Sequence, residues 1–282
     1  MEAWELPLVL FTVLGQWGIG IALMITIAES VAPSIVDSAN RQNIRFGGMM
    51  VLPLIALGLL FSVFHLGTPF AAYKALFNLG TSMLSLEILA FIIVSALALV
   101  YSYMWWKNPD SGLRRTIGIV LSVVGIIAIV ISSKVYTMPT RLGWDSWETI
   151  AAFLLTAVLL GATTVAALVV GNKATDVMKA NKVLAVIILL AVVGIVVTLA
   201  GISSMYGQSA EQSAVVIGTF ANGMFFVRLL LSLMIPVIMA AYILSNKATN
   251  NLVTLGLGGI VVGELLGRVL FYSSTMSQYP WF

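Results

Sequence analysis

The stretch Met83–Trp105, MLSLEILAFIIVSALALVYSYMW, decides the fold, because its 23 residues hold one charged side chain, Glu87, in an otherwise apolar run. A helix of that length rises about 34 Å at about 1.5 Å per residue, enough to cross a hydrocarbon core of about 30 Å. A barrel strand would instead show about 10 residues of in–out alternation, and an open sheet would leave backbone polar groups unpaired in lipid. Seven further apolar runs flank this one: Pro7–Ala28, Phe46–Leu66, Thr116–Tyr136, Trp147–Val170, Asn181–Ile202, Met224–Leu244 and Leu252–Tyr272. Turn-forming or polar pieces separate them, among them Gly67-Thr68-Pro69, Asn108-Pro109-Asp110-Ser111-Gly112 and Ser245-Asn246-Lys247. The pattern predicts an all-α membrane protein, a bundle of about eight transmembrane helices forming one integral membrane domain over residues 1–282. The longest polar-leaning interval, Ser203 to Gly223, leaves no room for a soluble domain.

Composition agrees. The chain is 60% hydrophobic and 9% charged, whereas a soluble domain carries about 25% charged residues. Its net charge of +3 comes from few residues and is no nucleic-acid signature. Cysteine is absent, which excludes disulfides, thiolate zinc and cysteine-ligated iron–sulfur clusters within this chain. His65 is the single histidine, so a bis-histidine haem cannot be built here. His/Met ligation stays formally open with 13 methionines, a residue common in apolar helices. No haem or metal is therefore expected in this chain. The first 30 residues lack the basic n-region and cleavage site of a signal peptide and read as a retained first helix.

Orientation follows from the basic residues. Arg41, Arg45, Lys107, Arg114, Arg115, Lys173, Lys179, Lys182 and Lys247 fall after helices 1, 3, 5 and 7, against Lys74, Lys134 and Arg141 on the other side. Basic loops stay in the cytoplasm, so both termini are expected outside.

An ionisable side chain within a span costs about 2.5–3.5 kcal/mol on insertion scales and calls for a reason. With this orientation, His65, Glu87, Lys134, Tyr136, Arg228, Glu264 and Arg268 all fall toward the outer side. Bland readings exist for most of them. Lys134 and Arg228 can snorkel to headgroups, Glu264 and Arg268 can pair at i,i+4 as structural glue, and a lone helix-end histidine can be a satisfied polar residue. Glu87 is harder to dismiss, since a carboxylate within a span needs a partner, a proton or a cavity. Segregation of the whole set to one side points to a polar cavity opening outward. Gly263 and Gly267 form a G-x-x-x-G pair around Glu264, which favours close helix approach and a central place for helix 8. Trp4, Trp105, Trp106, Trp144, Trp147 and Trp281 lie near helix ends, as an interfacial aromatic belt would.

The chain resembles the membrane-anchor subunit of bacterial dimethyl sulfoxide reductase, the DmsC family, over essentially its whole length. The resemblance is carried by Trp4-Glu5-Leu6-Pro7-Leu8 with Gly15-Gln16, by His65-Leu66-Gly67-Thr68-Pro69 with Gly80, Ser82, Leu84, Ser85 and Glu87-Ile88, and by Val135-Tyr136. Gly263-Glu264-Leu265-Leu266-Gly267-Arg268, with Phe271-Tyr272 and Met276, completes it. The resemblance implies an anchor in the bacterial cytoplasmic (inner) membrane that takes menaquinol from the quinone pool as its bound substrate. It also implies two partners, an iron–sulfur electron-transfer subunit and a molybdopterin catalytic subunit, which hold the redox centres. Within the family the matching histidine and glutamate belong to the quinol site, which maps onto His65 and Glu87. Two positions depart from the family pattern: Ala71 stands where an arginine is usual, with Lys74 three residues on, and Lys134 replaces an arginine before Val135.

On this reading His65 and Glu87 accept quinol protons, while Lys74, Lys134, Tyr136, Arg228, Glu264 and Arg268 bind quinol or support the pocket. Electrons must leave through a docked partner, because this chain has no centre to receive them. Two alternatives stand beside it. One is a quinone-reactive anchor of another oxidoreductase. The other is a secondary transporter, in which Pro53 and Pro236 would break helices 2 and 7 around a midplane site.

Overall fold

The computed structural model describes residues 5–36, 41–65, 69–139 and 142–276, with side chains throughout these ranges except at 5, 65, 69–72 and 274–276. Its long helices are α1 (Glu5–Val31), α2 (Arg41–His65), α3 (Met83–Lys107), α4 (Gly112–Tyr136), α5 (Trp147–Val169) and α6 (Thr175–Ser204). A short α7 (Ala210–Phe220) follows, then α8 (Gly223–Leu229), a π-helical turn (Leu230–Met234), α9 (Ile235–Leu244) and α10 (Asn250–Met276). Two 3-10 segments, Pro33–Val36 and Pro69–Asn78, fill connections, and no strand occurs among the described residues. Eight stretches are long and apolar enough to span a membrane, the seventh being Gly223–Leu244. They coincide with the eight runs expected. The interval from Ser203 to Gly223, featureless in the sequence reading, contains α7, too short at 11 residues to cross a bilayer.

Local sequence sets the helix starts. Ser82 caps α3, its hydroxyl accepting from the Ser85 amide, and Ser111 caps α4 by accepting from Leu113. Ser209 and Asn222 do the same for α7 and α8. Pro53 lies inside a continuous α2, and Pro236 is the second residue after the π turn. Proline removes the amide that would bond to the carbonyl four residues earlier, here Ser232, and a wider turn accommodates that loss. Neither proline unwinds its span, so the broken helices of the transporter alternative are not formed.

The centre of the bundle is α1 against α5, not α10. In the apolar stretches of α1 and α5, 72% and 67% of residues are buried, against 44% in α10. The two backbones meet at Gly20 and Gly161, where a Cβ on Gly20 would lie 2.0 Å from the Ala157 carbonyl oxygen. Small residues at this crossing replace the hydrophobic drive that lipid cannot supply. Two tryptophans assigned to the belt are core instead. Trp105 packs against Gly48, and the Trp144 indole donates to the Phe271 carbonyl at 3.0 Å. Trp106 and Trp147 are exposed as a belt requires, while Trp4, Trp281, Arg141 and Leu66–Thr68 lie outside the described residues.

Candidate functional site

Alternating helix direction brings the end of α2, the start of α3, the end of α4, the start of α5 and the end of α10 to one end of the bundle. His65 is the last residue of α2, and its side chain lies outside the described residues. Glu87, one turn into α3, is 5% exposed. The Ser132 hydroxyl on α4 donates to Glu87 Oε1 at 2.5 Å, and no basic side chain pairs with this carboxyl group among the described residues. A carboxyl group buried within a span costs free energy and calls for a reason.

From Ser132 the polar side chains continue across the bundle. Tyr136, one turn further along α4, sits in a box of rings with centroids 5.7 Å from Trp144, 5.5 Å from Phe153, 5.8 Å from Phe271 and 5.4 Å from Tyr272. The Tyr272 hydroxyl donates to the Tyr136 hydroxyl at 2.9 Å. One turn before Tyr272 on α10, the Arg268 guanidinium lies 3.7 Å from the Phe153 ring centroid and donates to Gln16 Oε1 at 2.8 Å. Arg268 also reaches Thr156 Oγ1 at 3.5 Å, and Thr156 donates to Glu264 Oε2 at 2.7 Å. Glu264 and Arg268 therefore make no direct ion pair; Thr156 of α5 stands between them, and Arg268 leans onto Phe153 and Gln16.

The glycine pair on α10 seats polar side chains of the neighbouring span. A Cβ on Gly267 would lie 2.5 Å from Arg228 Nε, and one on Gly263 would lie 2.4 Å from Ser232 Oγ. Beside this contact opens a cavity of about 60 Å³ that Thr156, Arg228, Glu264 and Arg268 share with Glu148. Glu148, 6% exposed, is a site residue that sequence reasoning missed. Its only signal was an acid in the first turn of α5, which also suits a helix dipole.

Glu87, Tyr136, Arg228, Glu264 and Arg268 are thus gathered at one end, while Lys74 and Lys134 are exposed and take no part in the network. Buried charge is not confined to this end, because a pair that fell outside the expected spans is buried too. At the opposite end Arg114 Nη1 meets Glu29 Oε1 at 2.7 Å, both nearly inaccessible, with the guanidinium 4.0 Å over the Trp105 ring. Because α1 runs on to Val31 and α4 begins at Gly112, residues read as loop or loop edge become a buried pair between helices.

Eight spans, no further domain among the described residues and a line of buried polar side chains at one end make this an integral membrane subunit of the kind that anchors soluble partners, and similarity to known proteins gives its family. The family model for the DMSO reductase anchor subunit (DmsC) matches residues 1–274, and the chain belongs to that family. It is 30% identical over 280 residues to the YnfH subunit of an anaerobic dimethyl sulfoxide reductase of Escherichia coli K12, covering 97% of this chain and 95% of that protein. It is 31% identical over 279 residues to the C subunit of the anaerobic dimethyl sulfoxide reductase of Haemophilus influenzae, covering 97% and 96%. With the C subunit of the Escherichia coli K12 enzyme the identity is 27% over 285 residues, covering 97% and 96%. The protein is a multi-pass component of the bacterial inner membrane and the anchor of a DMSO reductase-type complex.

Proposed function

We propose that this anchor oxidises menaquinol at the bundle end carrying His65 and Glu87. The electrons pass to an iron–sulfur subunit docked on that face and from there to a molybdopterin catalytic subunit. The observation that carries the reading is Glu87, a carboxyl group buried within a span and held by the Ser132 hydroxyl. A quinol hydroxyl is a donor, and a carboxyl oxygen in a dry site is a fitting acceptor for it and for its proton. An imidazole at His65, at the same end, supplies the second proton acceptor. Two electrons and two protons leave the quinol. The protons go to these side chains, and the electrons go to the partner's clusters, since this chain has no cysteine to hold one.

Basic-loop asymmetry supports placing this end, and both termini, on the outer face. Quinol protons then leave on the side where the reductase consumes them, and turnover moves little net charge across the membrane. Between Gln16 and Thr26, α1 buries Ile19, Ile21, Ala22, Met24 and Ile25, an apolar layer that agrees with this. A sizeable membrane potential generated by the complex alone in proteoliposomes would contradict it.

The deciding experiment uses the whole complex. Glu87→Gln and His65→Ala should each abolish quinol-driven reduction while reduction driven by an artificial viologen dye persists. If quinol-driven turnover survives both substitutions, the assignment is withdrawn.

A further inference from the structure

We propose that the cavity between α5, α6, α7, α8 and α10 is a hydrated proton exit from the quinol site, with Glu264 and Glu148 as its carboxyl relays. The proposal rests on the quinol-oxidation reading and extends it from where protons are taken up to how they leave.

The cavity is built from buried groups whose hydrogen-bonding capacity the protein does not use. Among the described residues, Glu264 Oε1, Glu148 Oε2 and Arg228 Nε, on three side chains that line it, are inaccessible and have no hydrogen-bond partner. Glu264 and Glu148 are 4% and 6% exposed, and both line the cavity together with Arg228. Buried polar atoms of this kind are satisfied by water, which needs a polar enclosure and two to four partners. A cavity of about 60 Å³ with donors and acceptors on several walls meets both needs. Its acids and arginines balance in sign, so the chemistry suits water and a mobile proton better than an anion or a metal cation.

Connectivity gives the cavity a direction. On its inner side Glu264 Oε2 is held by Thr156, which touches Arg268, which is one turn from Tyr272 and its bond to Tyr136. Tyr136 in turn lies one turn from Ser132, the partner of Glu87. On its outer side the lining includes Gly143, Ser146 and Glu148, where the α4–α5 connection meets the bundle end. A carboxyl group with one oxygen fixed in a hydrogen-bond chain and the other turned to water can receive a proton from one side and release it on the other. Glu264 has that arrangement, and Glu148 stands between it and the aqueous end. Between Glu264 and Glu148 each transfer is a proton hop between oxygens through cavity water, with no change in redox state; Arg268, which has no acceptor, orients Thr156 and carries no proton.

The test is made on the intact complex with a water-soluble naphthoquinol as electron donor. Glu148→Gln and Glu264→Gln should each lower quinol-driven turnover about tenfold, raise the solvent deuterium isotope effect, and regain activity on addition of formate or azide as small proton carriers. A quinol-analogue inhibitor should bind both variants as it binds the unmodified complex, whereas Glu87→Gln should weaken that binding. Thr156→Val, which keeps side-chain shape while removing the hydroxyl link, should show the same turnover and isotope effect and serves as the measure where a Glu→Gln variant does not assemble. Unchanged turnover and isotope effect in these variants would overturn the proposal. Loss of inhibitor binding in Glu148→Gln or Glu264→Gln would overturn it too, by making the cavity part of the quinol pocket. Failure of the quinol-oxidation reading is separate, because it shows as an active Glu87→Gln complex.

Discussion

Ser132 on α4 donates a 2.5 Å hydrogen bond to Glu87 on α3, linking two buried polar groups on adjacent spans through one hydroxyl. This contact fixes the position of the carboxyl group that the proposed reaction needs. Ser132→Ala should therefore leave Glu87 present but poorly held. We expect quinol-driven turnover to fall about tenfold, the equivalent of losing one buried hydrogen bond of about 1–2 kcal/mol, with dye-driven reduction unchanged. Parallel assays of the membrane-bound complex with a quinol and a viologen donor check this.

The α1–α5 crossing makes a prediction about assembly. An alanine at Gly20 would place its Cβ 2.0 Å from the Ala157 carbonyl oxygen, a backbone atom that cannot move aside alone. Gly20→Ala should push the two central helices apart and destabilise the anchor by about 1–3 kcal/mol or more. Gly112→Ala has open space around the new methyl group and is the matched control. The thermal midpoints of the two variants in detergent should differ clearly, with only the first lowered.

At the opposite end, the Glu29–Arg114 pair tests whether burial of charge is confined to function. Both groups are nearly inaccessible, and removing one partner leaves the other charged and unpaired. Arg114→Met should cost about 3–5 kcal/mol of stability, whereas replacing both residues by apolar ones should restore much of it. The KM for quinol of whatever complex assembles should match the unmodified one, because the pair lies at the other end of the bundle from Glu87. A raised KM in the double variant would show that the two ends are coupled.

These cases also mark how far the sequence could be read. The eight spans were legible because an apolar run longer than a bilayer has few other fates, and their ends moved by only a few residues. Gathering Glu87, Tyr136, Arg228, Glu264 and Arg268 at one end was legible too, since helix direction alternates with each loop. Which residues touch was not. Whether Arg268 meets Glu264 or Thr156 depends on the rotation of α10 against α5, and an i,i+4 spacing on one helix is silent about the neighbour. Glu29 and Arg114 escaped notice because each sits at a helix terminus, where a small boundary error turns a buried residue into a loop residue. Glu148 was hidden by an ordinary explanation, an acid in the first turn of a helix.

Arg268 is the residue where shape and charge can be separated. Its guanidinium carbon lies 3.7 Å from the Phe153 ring centroid, within cation–π range, and it donates to Gln16 at 2.8 Å while reaching Thr156. A lysine would keep the positive charge but could not contact the ring and bond to Gln16 and Thr156 at once, as a planar fork does. The desolvated cation–π contact is worth about 2 kcal/mol, so Arg268→Lys should lower the thermal midpoint measurably. It should also disturb the Thr156–Glu264 link, so that quinol-driven turnover falls while binding of a quinol-analogue inhibitor holds. Gln16→Leu removes one acceptor of Arg268 and leaves its contact with Phe153 in place. It should therefore lower stability less than Arg268→Lys, and a larger loss would mean that the Gln16 bond, not the ring contact, holds the arginine.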